Sequence, residues 1–142
     1  MNTDVMFSSK TNEWATPQWF FDELCAEFNF TLDPASTHEN TKCIKHYTVD
    51  EDGLSQDWSG ETVFCNPPYG RETKKWVEKA YFESKKGVTT VLLLPCRPDV
   101  SYFHDYILPF AEVRFIRGRL KFGGSKNSAP FPSMVAIFRG NN

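Results

Sequence analysis

A chain of 142 residues, 40% hydrophobic and 24% charged, has room for one folded core but not for a second lobe. Its formal net charge of -2 argues against a general nucleic-acid binder. Four cysteines without a CxxC pair argue against a zinc knuckle or a disulfide framework, and no apolar run is long enough for a membrane span.

The polar N-terminus carries no signal-peptide pattern, so the chain reads as soluble and cytoplasmic, with reduced thiols. Charge is unevenly distributed. Residues 111–142 hold six basic residues and one acid, against ten basic and seventeen acidic residues in the remainder. The C-terminal quarter is therefore either a phosphate-facing surface on an acidic body or a solvated tail.

Residues 1–12 read as a flexible polar arm and 13–142 as one domain. Trp14, Ala15, Thr16 and Pro17 precede a helical pattern. With Thr16 as N-cap and Pro17 in the first turn, the spacing of Trp19, Phe20, Leu24 and Phe28 predicts a helix over 17–27. Residues 30–32 make a very short strand ending at Asp33 and Pro34. An acid there either meets the polar part of a nucleotide-like cofactor or serves as an ordinary turn acid. Asn40, in the loop that follows, is open to cofactor contact and to simple capping alike. Residues 44–49 are weakly β-prone. Asp50, Glu51, Asp52 and Gly53 form a turn without the ligand spacing of a calcium loop, so no metal is expected; Trp58 plugs the core behind it.

Val63, Phe64 and Cys65 form a buried strand whose polar end is Asn66, Pro67, Pro68, Tyr69 and Gly70. An amphipathic helix carrying Trp76, Val77, Ala80 and Tyr81 follows and stops at Gly87. Residues 88–94 are the strongest strand, apolar enough to be buried on both faces. This strand–helix–strand unit predicts a right-handed parallel crossover. Tyr102, Phe103, Tyr106 and Ile107 predict a helix stopped by Pro109. Residues 112–116 suit a strand, 118–122 a turn and short strand, and 133–138 a final strand.

The proline loop carries the chemistry. The amide oxygen of Asn66 and the carbonyl of Pro67 can accept both hydrogens of an exocyclic amine, drawing its nitrogen towards sp³ geometry and aiming the lone pair at an electrophile. Two prolines stiffen the loop, and Tyr69 offers a face on which a base can stack.

Asn66, Pro67, Pro68 and Tyr69 match the motif of S-adenosylmethionine-dependent amino-methyltransferases, and the order of features along nearly the whole chain resembles the small, phage-associated DNA adenine N6-methyltransferases. The resemblance implies a compact, pruned Rossmann-like α/β fold with a mostly parallel central sheet and antiparallel C-terminal strands. It implies direct methyl transfer to the N6 of an adenine flipped from double-stranded DNA. Asn66 and Pro67 would orient the amine, Pro68 would shape the loop and Tyr69 would stack. Trp14, Thr16, Pro17, Asp33, Pro34, Asn40, Asp52 and Asn66 would meet the cofactor. Arg97, Arg117, Arg119, Lys121 and Lys126 would contact DNA, mainly from loops within 117–132, with a short recognition sequence or a second copy of the chain completing recognition. Cytosine N4, an RNA base and a protein glutamine are alternative acceptors for the same loop, and a catalytically silent nucleic-acid-binding module is the non-enzymatic alternative. The 28 residues between Asp33 and Thr62 are too few for a full set of early strands and helices, and no glycine-rich turn follows Asp33.

Overall fold

The computed structural model describes residues 15–124 and 128–141. Trp14, Lys126 and the 1–12 arm, read above from sequence, lie outside the described residues. Helix α1 spans Gln18–Phe28, β1 Thr62–Cys65, α2 Thr73–Ser84, β2 Thr89–Pro95, β3 Glu112–Phe115 and β4 Ser133–Phe138. The fold is mixed α/β.

Four strands lie in the order β1-β2-β4-β3. β1 and β2 are parallel, with Phe64 opposite Val91, and α2 makes the crossover between them. β4 pairs antiparallel with both β2 and β3, placing Ala136 opposite Leu92 and Val113. The two C-terminal strands thus pair antiparallel as expected, yet β3 runs in the direction of β1 and β2, and β4 alone is reversed. The 30–32 segment is reduced to a bridge, Leu32 with Val63, and a second bridge joins Asp33 to His46. These two parallel bridges extend the sheet beyond β1 at very small cost in chain length.

Strand alternation divides the core into two layers. Val63, Cys65, Leu92, Leu94, Met134, Ala136 and Phe138 point to the side where Trp58, Trp76, Val77, Ala80 and Phe103 pack. Phe64, Val91, Leu93, Val135 and Ile137 point to the other, against Phe20, Phe21 and Leu24 of α1 and Leu120 and Phe122. Leu92, Leu93 and Leu94 are fully buried, as their unbroken apolar run demands of a central strand.

Local chemistry sets the ends. α1 closes on Asn29 in the left-handed region (φ 57°), whose N–H donates to the Cys25 carbonyl at 2.8 Å. The residue before α1 is Pro17, with no side-chain cap, so Thr16 is not the N-cap that its sequence position suggested. The helix predicted near 102–108 is a π-helical turn, Phe103–Ile107, running into a short α-turn, Leu108–Phe110. Pro109 sits inside that turn, and the helical run continues through it to Phe110. The short strand expected within 118–122 does not form. Leu120 is pinned instead by the Ala129 N–H on its carbonyl (2.8 Å), and a 3₁₀ turn follows at Phe122–Gly124.

Candidate active site

The C-terminal ends of β1 and of the 30–33 segment open onto one cavity of about 460 Å³. It is lined by Asn66, Pro67, Pro68, Tyr69 and Gly70 of the proline loop, by Asp33, Ala35, Ser36, Asn40 and Lys42, by Ala15 and Thr16 at the lead-in to α1, and by Pro130 and Phe131. This is where ligands sit in open α/β sheets.

Asn66 is placed by β1 and held by Thr16. Its Nδ2 donates to Thr16 Oγ1 at 3.1 Å, a bond between residues 50 apart in the chain. That bond orients the amide, and it gives Thr16, only 5% exposed, a task other than capping. The loop beyond Asn66 is clamped twice. Thr73, buried at the start of α2, donates its hydroxyl to the Pro68 carbonyl at 2.8 Å, and Gly70 takes a φ of 116° that a side chain would oppose.

Tyr69 presents a half-buried ring to the cavity. Phe131 meets it edge-on at 5.5 Å and 82°, and Phe122 at 6.5 Å and 88°. Burial of its hydroxyl end raises its pKa, so it remains a neutral phenol. Burial likewise drives the Cys65 thiol well up, and the Asp33 carboxylate adds to the rise. A nucleophilic thiolate is therefore unsupported at that position.

Asp33 is 4% exposed. Desolvation raises its carboxyl to about 6, opposed by hydrogen bonds from the backbone of Lys42 and Ala35 and by the charges of His46 and Lys42. The Lys42 N–H to Oδ2 distance is 2.9 Å. Pro34, next in sequence, is buried but is not part of the cavity wall. Its carbonyl packs on the bare Cα of Gly53, where a Cβ would collide. Asn40 exchanges reciprocal bonds with Thr37, Oδ1 accepting at 2.7 Å and the Asn40 N–H donating to Thr37 Oγ1 at 3.1 Å. It therefore both caps its turn and lines the cavity.

Asp52 lies away from the cavity lining. It adopts φ 57° and caps the 3₁₀ turn Gly53–Ser55 by accepting from the Leu54 N–H at 3.3 Å. The short loop between Asp33 and Thr62 does not bring it to the site. Pro17 also lies outside the lining; its carbonyl accepts the N–H groups of Phe20 and Phe21 as the first turn of α1. Among the described basic residues, Arg97, Arg117, Arg119 and Lys121 are exposed. Arg97 stands 3.6 Å from Asp99. Arg117, Arg119 and Lys121 precede the Phe122 turn, which is tied to the cavity through the Gly123 N–H and the Ala15 carbonyl (2.9 Å). Phe138 belongs to the core layer behind α2.

Lys42 was not singled out by sequence reasoning. It lies nine residues after Asp33 in an aperiodic loop, and nothing in the spacing signals that its backbone would bind that carboxylate. Among the described residues no group of three His, Cys, Asp or Glu side chains can hold a metal ion.

Comparison with known proteins gives a consistent result. The family model described as DNA N-6-adenine-methyltransferase (Dam) matches residues 4–140. A DNA N-6-adenine-methyltransferase of Haemophilus phage HP1 is 29% identical over 134 residues, covering 88% of this chain and 77% of the relative. One from Escherichia phage T1 is 28% identical over 109 residues, covering 75% of this chain and 45% of that longer protein.

Proposed function

The chain belongs to the DNA N-6-adenine-methyltransferase family, and on that premise we propose that it transfers a methyl group from S-adenosylmethionine to the exocyclic amine of an adenine turned out of double-stranded DNA. The observation that carries this reading is the shared cavity. Asn66 and Pro67, at the end of a parallel strand, face the same space as Asp33 and Thr16. The sheet supports it too: a reversed β4 between two strands of common direction, extended past β1 by two parallel bridges, suits a pruned Rossmann-like methyltransferase.

The lining fits an amino acid linked to a nucleoside. A cavity of about 460 Å³ falls in the ordinary range for such ligands. It presents an acid, a cation, the hydroxyls of Thr16 and Ser36, and an apolar wall of Phe64 and prolines. Asp33, Asn40 and Thr16 would hold the cofactor, which supplies an electrophilic methyl on a sulfonium.

The chain's own work is orientation. Nδ2 of Asn66 is engaged by Thr16, so Oδ1 is the end of the amide that accepts from the target amine, together with the Pro67 carbonyl. Holding both hydrogens places the nitrogen lone pair in line with the methyl carbon. After transfer the nitrogen is cationic and strongly acidic; it releases a proton to a loop carbonyl or to solvent, and no buried base is required. Tyr69 supports the base, its ring braced by Phe131.

Incubating the protein with S-adenosylmethionine and duplex DNA, then digesting to nucleosides for mass spectrometry, tests the reading. N6-methyladenine is expected. N4-methylcytosine alone, or methyl incorporation only into RNA or protein, would overturn the assigned acceptor, and no transfer at all would overturn the activity.

A further inference from the structure

Two opposite charges face one cavity, and one loop residue sets both. The Lys42 backbone N–H holds the Asp33 carboxylate at 2.9 Å, and Lys42 is itself among the residues that line the same cavity. Among the described residues its ammonium makes one hydrogen bond, to Gln18 Oε1 at 2.9 Å. Gln18 is itself fixed by donating Nε2 to Asp22 Oδ1 at 2.8 Å. Lys42 is thus partly desolvated and tethered on its α1 side, and among the described residues it forms no direct ion pair with Asp33 or Asp22.

We propose that Lys42 is a cofactor-binding residue whose ammonium takes the α-carboxylate of the amino-acid end of the cofactor while Asp33 takes its α-ammonium. The inference rests on the reading of the cavity as an S-adenosylmethionine site and adds a charge-reading function to it. A zwitterion complements an acid and a cation that line one cavity better than a neutral or singly charged group does, because each charge removed from water meets its opposite. Gln18, the acceptor of the Lys42 ammonium, opens α1 two residues after Thr16, so the amino-acid end would lie against the lead-in to α1 and the methyl group would lie towards Asn66.

Calorimetric binding of S-adenosylmethionine and of its decarboxylated analogue, which keeps the ammonium and loses the carboxylate, separates a direct contact from an indirect one. The wild-type protein is expected to favour the intact cofactor by about 10- to 100-fold, the range of a charge-assisted hydrogen bond. Lys42→Met should lose that preference by weakening only the intact cofactor, and Lys42→Arg should retain most of it. If Lys42→Met weakens both ligands equally, the lysine acts through Asp33 and the carboxylate contact is wrong. If it weakens neither, the residue is not part of the site. If the wild-type protein binds neither ligand, the cofactor reading itself falls, which the first two outcomes would leave standing. Circular dichroism of each variant confirms that it is folded.

Discussion

Asn66 and Asp33 are the two residues on which the site turns, and each makes a separable prediction. Asn66→Ala removes the proposed amine acceptor and one bond to Thr16. Turnover should fall about 10²- to 10³-fold, as when one preorganised partner is lost from an active site, while stability changes by about 1 kcal/mol, the net worth of a hydrogen bond. Steady-state methyl transfer beside a thermal melt checks both. Near-normal turnover would contradict the orienting role. Asp33 is legible in the sequence as an acid before proline, but its environment is not. With its folded carboxyl raised to about 6 from 3.8, the folded state binds more protons than the unfolded one between those values. Its contribution to stability therefore falls as pH rises through that window, to a penalty of about 3 kcal/mol above it. Below about pH 4 the penalty vanishes. Asp33→Asn should accordingly stabilise the ligand-free protein at pH 7 by about 1–2 kcal/mol after the loss of one backbone acceptor, and the difference from wild type should shrink towards pH 4 in urea titrations. The same substitution should weaken binding of a cationic cofactor, so that stability and affinity move in opposite directions.

At the scale of elements, the strands were the most legible part and the turns the least. The 133–138 strand was read with its observed ends, and 88–94 was displaced by one residue, because long apolar runs between polar breaks leave little freedom. Leu32 and Asp33 make only single bridges, too short for periodicity to register. The π-helical turn at Phe103–Ile107 carries the same apolar spacing as an α-helix, so the sequence pattern does not separate the two. Thr16 looked like a cap because Pro17 follows it, whereas a partner 50 residues away decides its role. The buried Glu83 in α2 had no visible signal either. It is 1% exposed, accepts the Trp58 N–H at 2.9 Å, and pairs with Lys79 at 3.0 Å and Lys86 at 2.8 Å. Burial works to raise its carboxyl, but these donors outweigh it and hold the pKa below the ordinary value. Glu83→Ala should cost about 2–4 kcal/mol, because the Trp58 N–H loses its acceptor inside the core. Urea unfolding followed by tryptophan fluorescence measures this, and a cost under 0.5 kcal/mol would mean that water replaces the carboxylate. Gly70→Ala, strained at φ 116°, should leave the core intact and instead disturb the loop, lowering turnover more than stability.

In the whole molecule the 66–70 loop continues β1, whose side chains enter both core layers, and the basic 117–121 segment leads into the Phe122 turn. Residues 119–122 alternate, Arg119 and Lys121 exposed, Leu120 and Phe122 buried in the layer beneath Phe64. Backbone bonds from Ala129 to Leu120 and from Gly123 to Ala15 tie that segment to the loop before β4 and to the lead-in to α1, which lines the cavity with Asn66. A chain of net charge -2 meets a polyanion most favourably through such a local basic surface. If Arg117 and Arg119 each neutralise one phosphate, the double substitution Arg117→Ala, Arg119→Ala should flatten the dependence of log K on log salt by about 2, since each contact contributes a slope of about -0.9. Fluorescence anisotropy with a duplex between 50 and 200 mM salt, conditions on the order of those where such slopes are resolved, gives the number. Cofactor affinity should be unchanged, because neither residue lines the cavity. A slope equal to wild type would remove this segment from the phosphate interface. A slope reduced as expected, but with altered preference among target sequences, would assign one of the two arginines to a base edge, because phosphate contacts weaken binding uniformly and base contacts do not.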